Sequence, residues 1–122
     1  MNSGVMFNTL LILFLLWIVF RRFFPLHGVK QITTADLKSE LKNKDKQFID
    51  VRTPYEFRTR HIKGFENIPL SILPRQTHQL SKDKDVFVIC QSGMRSIKAS
   101  KVLKKQGFKN ITNIKGGMNT WY

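Results

Sequence analysis

The chain is short of sulfur and of acid. Cysteine occurs once in 122 residues, at Cys90, which excludes an intrachain disulfide and suits a reducing compartment. His27, His61 and His78 have no ligand spacing with that single thiol, so no metal site is expected. Asp and Glu number 8 against 21 Lys and Arg, a formal net charge of +13. No aromatic-interleaved basic stripe and no nucleic-acid motif accompanies the excess, so nucleic acid is not expected as a partner. An anionic substrate, or an anionic lipid surface held near a solvated lysine face, fits the charge better. Internal repeats and low-complexity segments are also lacking, and the length leaves room for one small domain and an appendage.

Basic residues are missing from one stretch in particular. Residues 1–20 hold no Lys or Arg, and Val5–Phe20 (VMFNTLLILFLLWIVF) has only Asn8 and Thr9 as polar residues. Arg21-Arg22-Phe23-Phe24-Pro25 follows. A secretory signal would carry its positive charge before the apolar run and small residues after it. The reverse order predicts an uncleaved membrane anchor with its juxtamembrane flank over 1–26 and a domain over 27–122, with a signal peptide or a buried core helix as alternatives. Because cytoplasmic flanks carry the Lys/Arg excess, the N-terminus is expected outside and the domain in the cytoplasm. Sixteen residues rise about 24 Å against roughly 30 Å of hydrocarbon. Snorkelling arginines, with Phe23 and Phe24 at the interface, would close that gap in the lipid bilayer.

Beyond the anchor, short apolar runs alternate with helical patterns. Strands are expected at Val29–Ile32, Phe48–Val51, around Glu66–Ile68, at Val86–Ile89 and at Ile111–Ile114. Helices are expected from Thr33 or Thr34 to about Asn43, from Thr53-Pro54-Tyr55-Glu56 onward, over Leu70–Leu80 with Pro74 limiting its start, and over Ser96–Gln106. In the second of these the hydroxyl caps the helix, proline takes its first position and the carboxylate meets its orphan amides. Gly107 stops the last, and Gly116-Gly117 opens a terminal turn or helix. Strands alternating with helices through short loops predict an α/β fold, a parallel sheet covered on both faces.

Cys90 ends the most apolar strand and is followed by Gln91-Ser92-Gly93-Met94-Arg95 and a helix. Ligands of open α/β sheets bind at that end of the strands. The inward amides of a short loop, the positive end of the helix dipole and the Arg95 guanidinium all stabilise an anion, and Gly93 gives the loop its freedom. A thiol in such a cradle is expected to react as its thiolate. Taken alone, the spacing also permits a bland reading in which Cys90 is a small buried hydrophobe at a strand end.

The run Cys90-Gln-Ser-Gly-Met-Arg95-Ser96 resembles the active-site loop of the rhodanese family of thiosulfate sulfurtransferases. Two further stretches agree, in the same order. Ile49-Asp50-Val51-Arg52 through Tyr55-Glu56-Phe57, then His61-Ile62-Lys63-Gly64 and Asn67-Ile68-Pro69, resembles the family's first signature. Ile114-Lys115-Gly116-Gly117-Met118 with Trp121 resembles its closing one. The likeness runs from about residue 29 to the C-terminus. It implies a five-stranded parallel sheet with helices on both faces. It also implies transfer of a sulfane sulfur, through a Cys90 persulfide, from a donor such as thiosulfate to cyanide or a thiol, with no cofactor. Cys90 would be the nucleophile, Gln91, Ser92, Gly93, Met94 and Arg95 the substrate cradle, and Arg95 the holder of the anionic donor. Asp50 and Arg52 are read as a supporting ion pair, and His61 as a group that satisfies backbone beside the site. Lys98 either attracts anions or is merely solvated. Arg60, where the family commonly has glycine, and Phe65, where a small residue is usual, depart from the pattern and alter the bulk of that loop. The chain ends one residue after Trp121, so at most a single terminal turn is expected. Two rivals stand beside this reading. One is a membrane-tethered persulfide carrier or redox relay serving protein partners. The other is a cysteine phosphatase or arsenate reductase, whose loop is one residue longer than the six positions from Cys90 to Arg95.

Overall fold

The computed structural model describes residues 2–23 and 28–122. Phe24, His27 and the expected boundary between 26 and 27 lie outside them. The first element, α1 (Ser3–Phe23), is 21 residues long. Its stretch Ser3–Arg21 is long and apolar enough to cross a membrane and is 0% buried against the rest of the chain.

Five strands form one sheet: β1 (Val29–Ile32), β2 (Gln47–Asp50), β3 (Glu66–Asn67), β4 (Val86–Ile89) and β5 (Ile111–Ile114). All pairings are parallel and the spatial order is β1-β5-β4-β2-β3, as the alternation of strands and helices predicts. The helices are α2 (Thr34–Glu40), α3 (Pro54–Thr59), α4 (Leu73–Gln76) and α5 (Met94–Lys105). Thr33 and Thr53 each close a capping box, with Asp36 and Glu56 as the returning carboxylates, so two helix starts are fixed locally.

Side-chain alternation along the buried strands builds a core on each face. Val86, Val88 and Cys90 join Leu73, Ala99 and Leu103 on the face of α4 and α5. Phe87 and Ile89 join Leu37, Ile62, Phe65 and Met118 on the face of α2. Every member of both clusters lies within 29–121, so among the described residues α1 contributes nothing to the core.

The differences from expectation are local. α2 stops at Glu40 rather than near Asn43, because Asn43 Oδ1 accepts from the Asp45 amide at 3.1 Å and bends the chain into a turn. The helix expected over Leu70–Leu80 shrinks to Leu73–Gln76 and a 3-10 turn at Thr77–Gln79. Leu70 N–H is bound to Val51 O at 3.0 Å, which ties the segment's start to the end of β2. β2 ends at Asp50 and β3 at Asn67, each one residue early. α5 begins at Met94, two residues before the expected Ser96, so it starts directly from the cysteine loop.

Candidate active site

β4 is the middle strand, flanked by β5 and β2. The loop that leaves it is therefore closed in by the segments leaving both neighbours. Cys90 follows β4 and is 0% exposed. Gly93 donates its N–H to Cys90 Sγ at 3.0 Å. It does so at φ +105° as the N-cap of α5, a left-handed conformation that only glycine adopts without strain. Sγ thus faces both a loop amide and the positive end of a 12-residue helix. Ser96, also 0% exposed, brings its Oγ to 3.4 Å from Sγ and donates to Gly93 O at 3.1 Å. With its proton on that carbonyl the hydroxyl can accept from the thiol; rotated, it can donate to the thiolate. Ser96 closes the motif, yet nothing local in the sequence marks its hydroxyl as a partner of the thiol.

The 3-10 turn Gly117–Thr120 lies against the back of the loop. Met118 N–H donates to Cys90 O at 2.8 Å and Asn119 N–H to Gln91 O at 3.0 Å. A Cβ on Gly117 would stand 2.2 Å from Cys90 O, so a glycine is required for this approach. The expectation of a single terminal turn is met by these residues.

Asp50 and Arg52 form a buried pair, with Arg52 Nη2 2.7 Å from Asp50 Oδ2 and side chains 3% and 0% exposed. Arg52 Nε donates to both Asp50 oxygens at 3.0 Å. The remaining donors reach Arg60 O at 2.6 Å and Gln91 Oε1 at 3.2 Å. Gln91 Nε2 in turn donates to Asn119 Oδ1 at 2.6 Å. One guanidinium therefore links the exits of β2 and α3 to the cysteine loop, and Gln91 extends the link to the closing turn. Gln91 directs its side chain into this network. Ser92 and Met94 are exposed on the rim.

Arg95 is occupied. Its Nη1 and Nη2 donate to Glu56 Oε1 and Oε2 at 2.7 and 2.9 Å, a bidentate ion pair between α5 and α3. The hydrogen bonds from Arg95 hold the Glu56 carboxyl at about 2, down from an ordinary 4.5, with Thr53 assisting and partial burial opposing. The hydrogen bonds to Glu56 likewise raise Arg95 above its usual value, partial burial opposes the rise, and the charges of Glu56, Cys90 and Asp50 add to it. Sequence reading assigned Glu56 only a helix cap; its pairing with Arg95 spans 39 positions and has no local signature.

His61 is exposed, binds Phe57 O through Nδ1 at 2.8 Å and stacks on the Phe57 ring at 4.0 Å between centroids. Arg60 has φ −163°, extended backbone that needs no glycine, and its Nη2 donates to Trp121 O at 2.5 Å. Phe65 is 6% exposed and packs on Phe48 at 5.4 Å. Its bulk therefore fills the core of the α2 face, which corrects the expectation that it adds to the loop. Among the described residues no group of three or more His, Cys, Asp and Glu could hold a metal ion.

The family resemblance has independent support. A model described as a rhodanese-like domain matches residues 33–122. The putative sulfurtransferase YtwF of Bacillus subtilis (strain 168) is 38% identical over 94 residues, 76% of this chain and 90% of that one. The putative sulfur carrier protein YrkF of the same organism is 32% identical over 95 residues, 77% of this chain but 51% of that one. This chain thus spans less than two thirds of the length of some relatives it matches. A crystal structure of a rhodanese-like domain protein from Staphylococcus aureus aligns with TM-score 0.71 at 33% identity, over 76% of this chain and 91% of that one.

Proposed function

This chain belongs to the rhodanese-like domain family, and on that premise we propose that it is a sulfurtransferase in which Cys90 carries the sulfur. In the first step the Cys90 thiolate attacks the outer sulfur of a donor such as thiosulfate. A new S–S bond forms at Sγ, the donor's S–S bond breaks, and sulfite leaves with the electron pair. In the second step cyanide or a thiolate attacks the outer sulfur of the persulfide, and Cys90 leaves as thiolate, ready for another cycle. The observation that carries this reading is the Gly93 N–H aimed at Sγ from 3.0 Å at the start of α5, an arrangement suited to an anionic sulfur. The loop from Gln91 to Arg95 is the cradle, with Gln91 acting through its hydrogen bonds rather than as a donor contact. Asp50 and Arg52 support it, and His61 satisfies backbone beside it. Arg95 is the cation for an anionic donor, and Glu56 is the carboxylate that such a donor must displace.

Cys90 is fully buried, so the exposed rim at Ser92 and Met94 must yield before a donor reaches Sγ. Burial also favours the second reading, a persulfide carrier loaded by a protein partner that opens the loop as it docks. The sulfur-carrier relative makes that reading concrete. The two are separated by rates. A turnover enzyme transfers sulfur readily from thiosulfate to cyanide with ping-pong kinetics, giving parallel lines in double-reciprocal plots. A carrier is slow with thiosulfate and fast from a protein persulfide. Intersecting lines, or equal activity in Cys90→Ser, contradict both. The six positions from Cys90 to Arg95 suit a sulfane sulfur better than a phosphoryl group, so phosphate-ester hydrolysis faster than sulfur transfer would also overturn the assignment.

For the rest of the chain, we read 1–26 as a single-pass anchor with residues 5–20 in the bilayer and 27–122 as the domain. The absence of Lys or Arg before Arg21 supports an outward N-terminus and a cytoplasmic domain. External protease added to intact cells would leave the domain whole; digestion of the folded domain reverses this orientation.

A further inference from the structure

Because the five strands are all parallel, each begins at one edge of the sheet and ends at the other. Cys90 lies at the finishing edge, just after β4. The chain from α1 enters at the starting edge, at Val29 of β1, and residues 24–28 are all that separates α1 from β1. Fully extended, that connection reaches about 20 Å. Across the domain, the steps from Asp85 to Cys90 along β4 cover about 16 Å at ~3.3 Å per residue. The tether thus seats the starting edge against a bilayer with slack to spare, whereas seating the opposite edge would take up most of its extended length.

The starting edge is also rich in lysine. Lys42 and Lys44 precede β2, Lys82 and Lys84 precede β4, and Lys104 and Lys105 precede β5; all six are exposed. Among the described residues none of the six is within ion-pair distance of a carboxylate, and three of the neighbouring acids are engaged elsewhere. Glu40 and Asp85 face Lys46 at 2.5 and 3.8 Å, and Asp83 faces Lys109 at 3.7 Å. Lys104 stands at the point of entry, where a Cβ on Gly28 would lie 3.0 Å from its Nζ.

We propose that the starting edge of the sheet docks on the anionic leaflet of the membrane that α1 spans, leaving the Cys90 loop turned to the water. The site then exchanges sulfur with water-soluble donors and acceptors rather than with molecules dissolved in the bilayer. This pose rests on reading α1 as an anchor, and two experiments keep the layers apart.

Flotation of the full chain with phosphatidylcholine vesicles tests the anchor alone; failure to float, or release by alkaline carbonate, removes the premise. Residues 28–122, which contain both core clusters, test the surface. This domain is expected to bind vesicles containing phosphatidylglycerol and not pure phosphatidylcholine. At about fivefold per lysine, replacing Lys82, Lys84, Lys104 and Lys105 by Gln is expected to weaken binding by more than about a hundredfold. Lys98→Gln with Lys115→Gln, near the start of α5 and just after β5, is expected to change it less than threefold. Equal losses from the two sets, no preference for anionic vesicles, or tighter binding to an RNA duplex of matched charge would overturn the proposal. The pose has its own reporter, since Trp121 is the single tryptophan of residues 28–122 and lies in the turn beside the Cys90 loop. Brominated anionic lipid is expected to leave its emission unquenched when the domain binds; strong quenching would place the wrong edge on the membrane.

Discussion

At the finishing edge of the sheet, Arg52 is 2% exposed and donates to Asp50, Gln91 and the carbonyl of Arg60. At the starting edge, Lys109 faces Asp83 at 3.7 Å with side chains 74% and 84% exposed. The first pair is out of water, so its charges have only each other and the surrounding dipoles, and its geometry is fixed. The second pair is screened by water and salt, and its geometry is loose. Two edges of one small sheet thus use charge for different ends: one holds a loop in register, and the other makes a diffuse positive field.

The sharpest way to break this contrast is to delete the buried guanidinium. Arg52→Ala leaves Asp50 charged and unpaired, and a loss of about 3–5 kcal/mol is expected in urea unfolding. Arg52→Lys is not expected to rescue the loop, because one ammonium cannot reproduce the fork that joins Asp50, Gln91 and Arg60. Next comes Gly117→Ala. It places a methyl 2.2 Å from Cys90 O at a backbone φ of +56°, with an expected cost of about 2–4 kcal/mol and a displaced cysteine loop. Thermal unfolding measures the first effect and the rate of sulfur transfer the second; a variant wild-type in both would mean that the closing turn does not set the loop.

A smaller and conditional effect is expected at the half-exposed rim. The folded Glu56 carboxyl sits at about 2, below its ordinary 4.5, so its pairing with Arg95 stabilises the fold above about pH 4.5. That contribution is lost as pH falls toward 2. Glu56→Gln is therefore less stable than wild type at neutral pH, and the gap in Tm is expected to close through that acid window. The same variant frees Arg95, so KM for thiosulfate is expected to fall several-fold; an unchanged KM would remove Arg95 from donor binding. At the far end of the scale, Lys109→Ala is expected to change stability by less than about 0.5 kcal/mol. A larger loss would mean that the exposed pairs are structural after all.

Much of the architecture was legible in the sequence because its signals are local. Thr53-Pro54 with Glu56 specifies a helix start within four residues, and Val86–Ile89 is apolar on both faces as a central parallel strand requires. That Cys90, Gly93 and Arg95 share one loop was legible for the same reason, since strand, turn and helix meet within one short run. What could not be read is set by strand order. Nothing local says that β4 lies between β5 and β2, and that order brings Asn119 to Gln91 and Gly117 to Cys90. The pairing of Arg95 with Glu56 was hidden in the same way, because Glu56 already had a complete local role as a cap. The full burial of Cys90 was legible only as one of two open alternatives, because an apolar strand end permits a buried thiol without requiring it.

Intact-mass spectrometry of the chain after incubation with thiosulfate is the most direct trial of Cys90 as a sulfur carrier. The wild-type chain is expected to gain the mass of one sulfur atom and to lose it again on addition of cyanide, while Cys90→Ser gains nothing. No gain in wild type, or the same gain in both, would contradict the account.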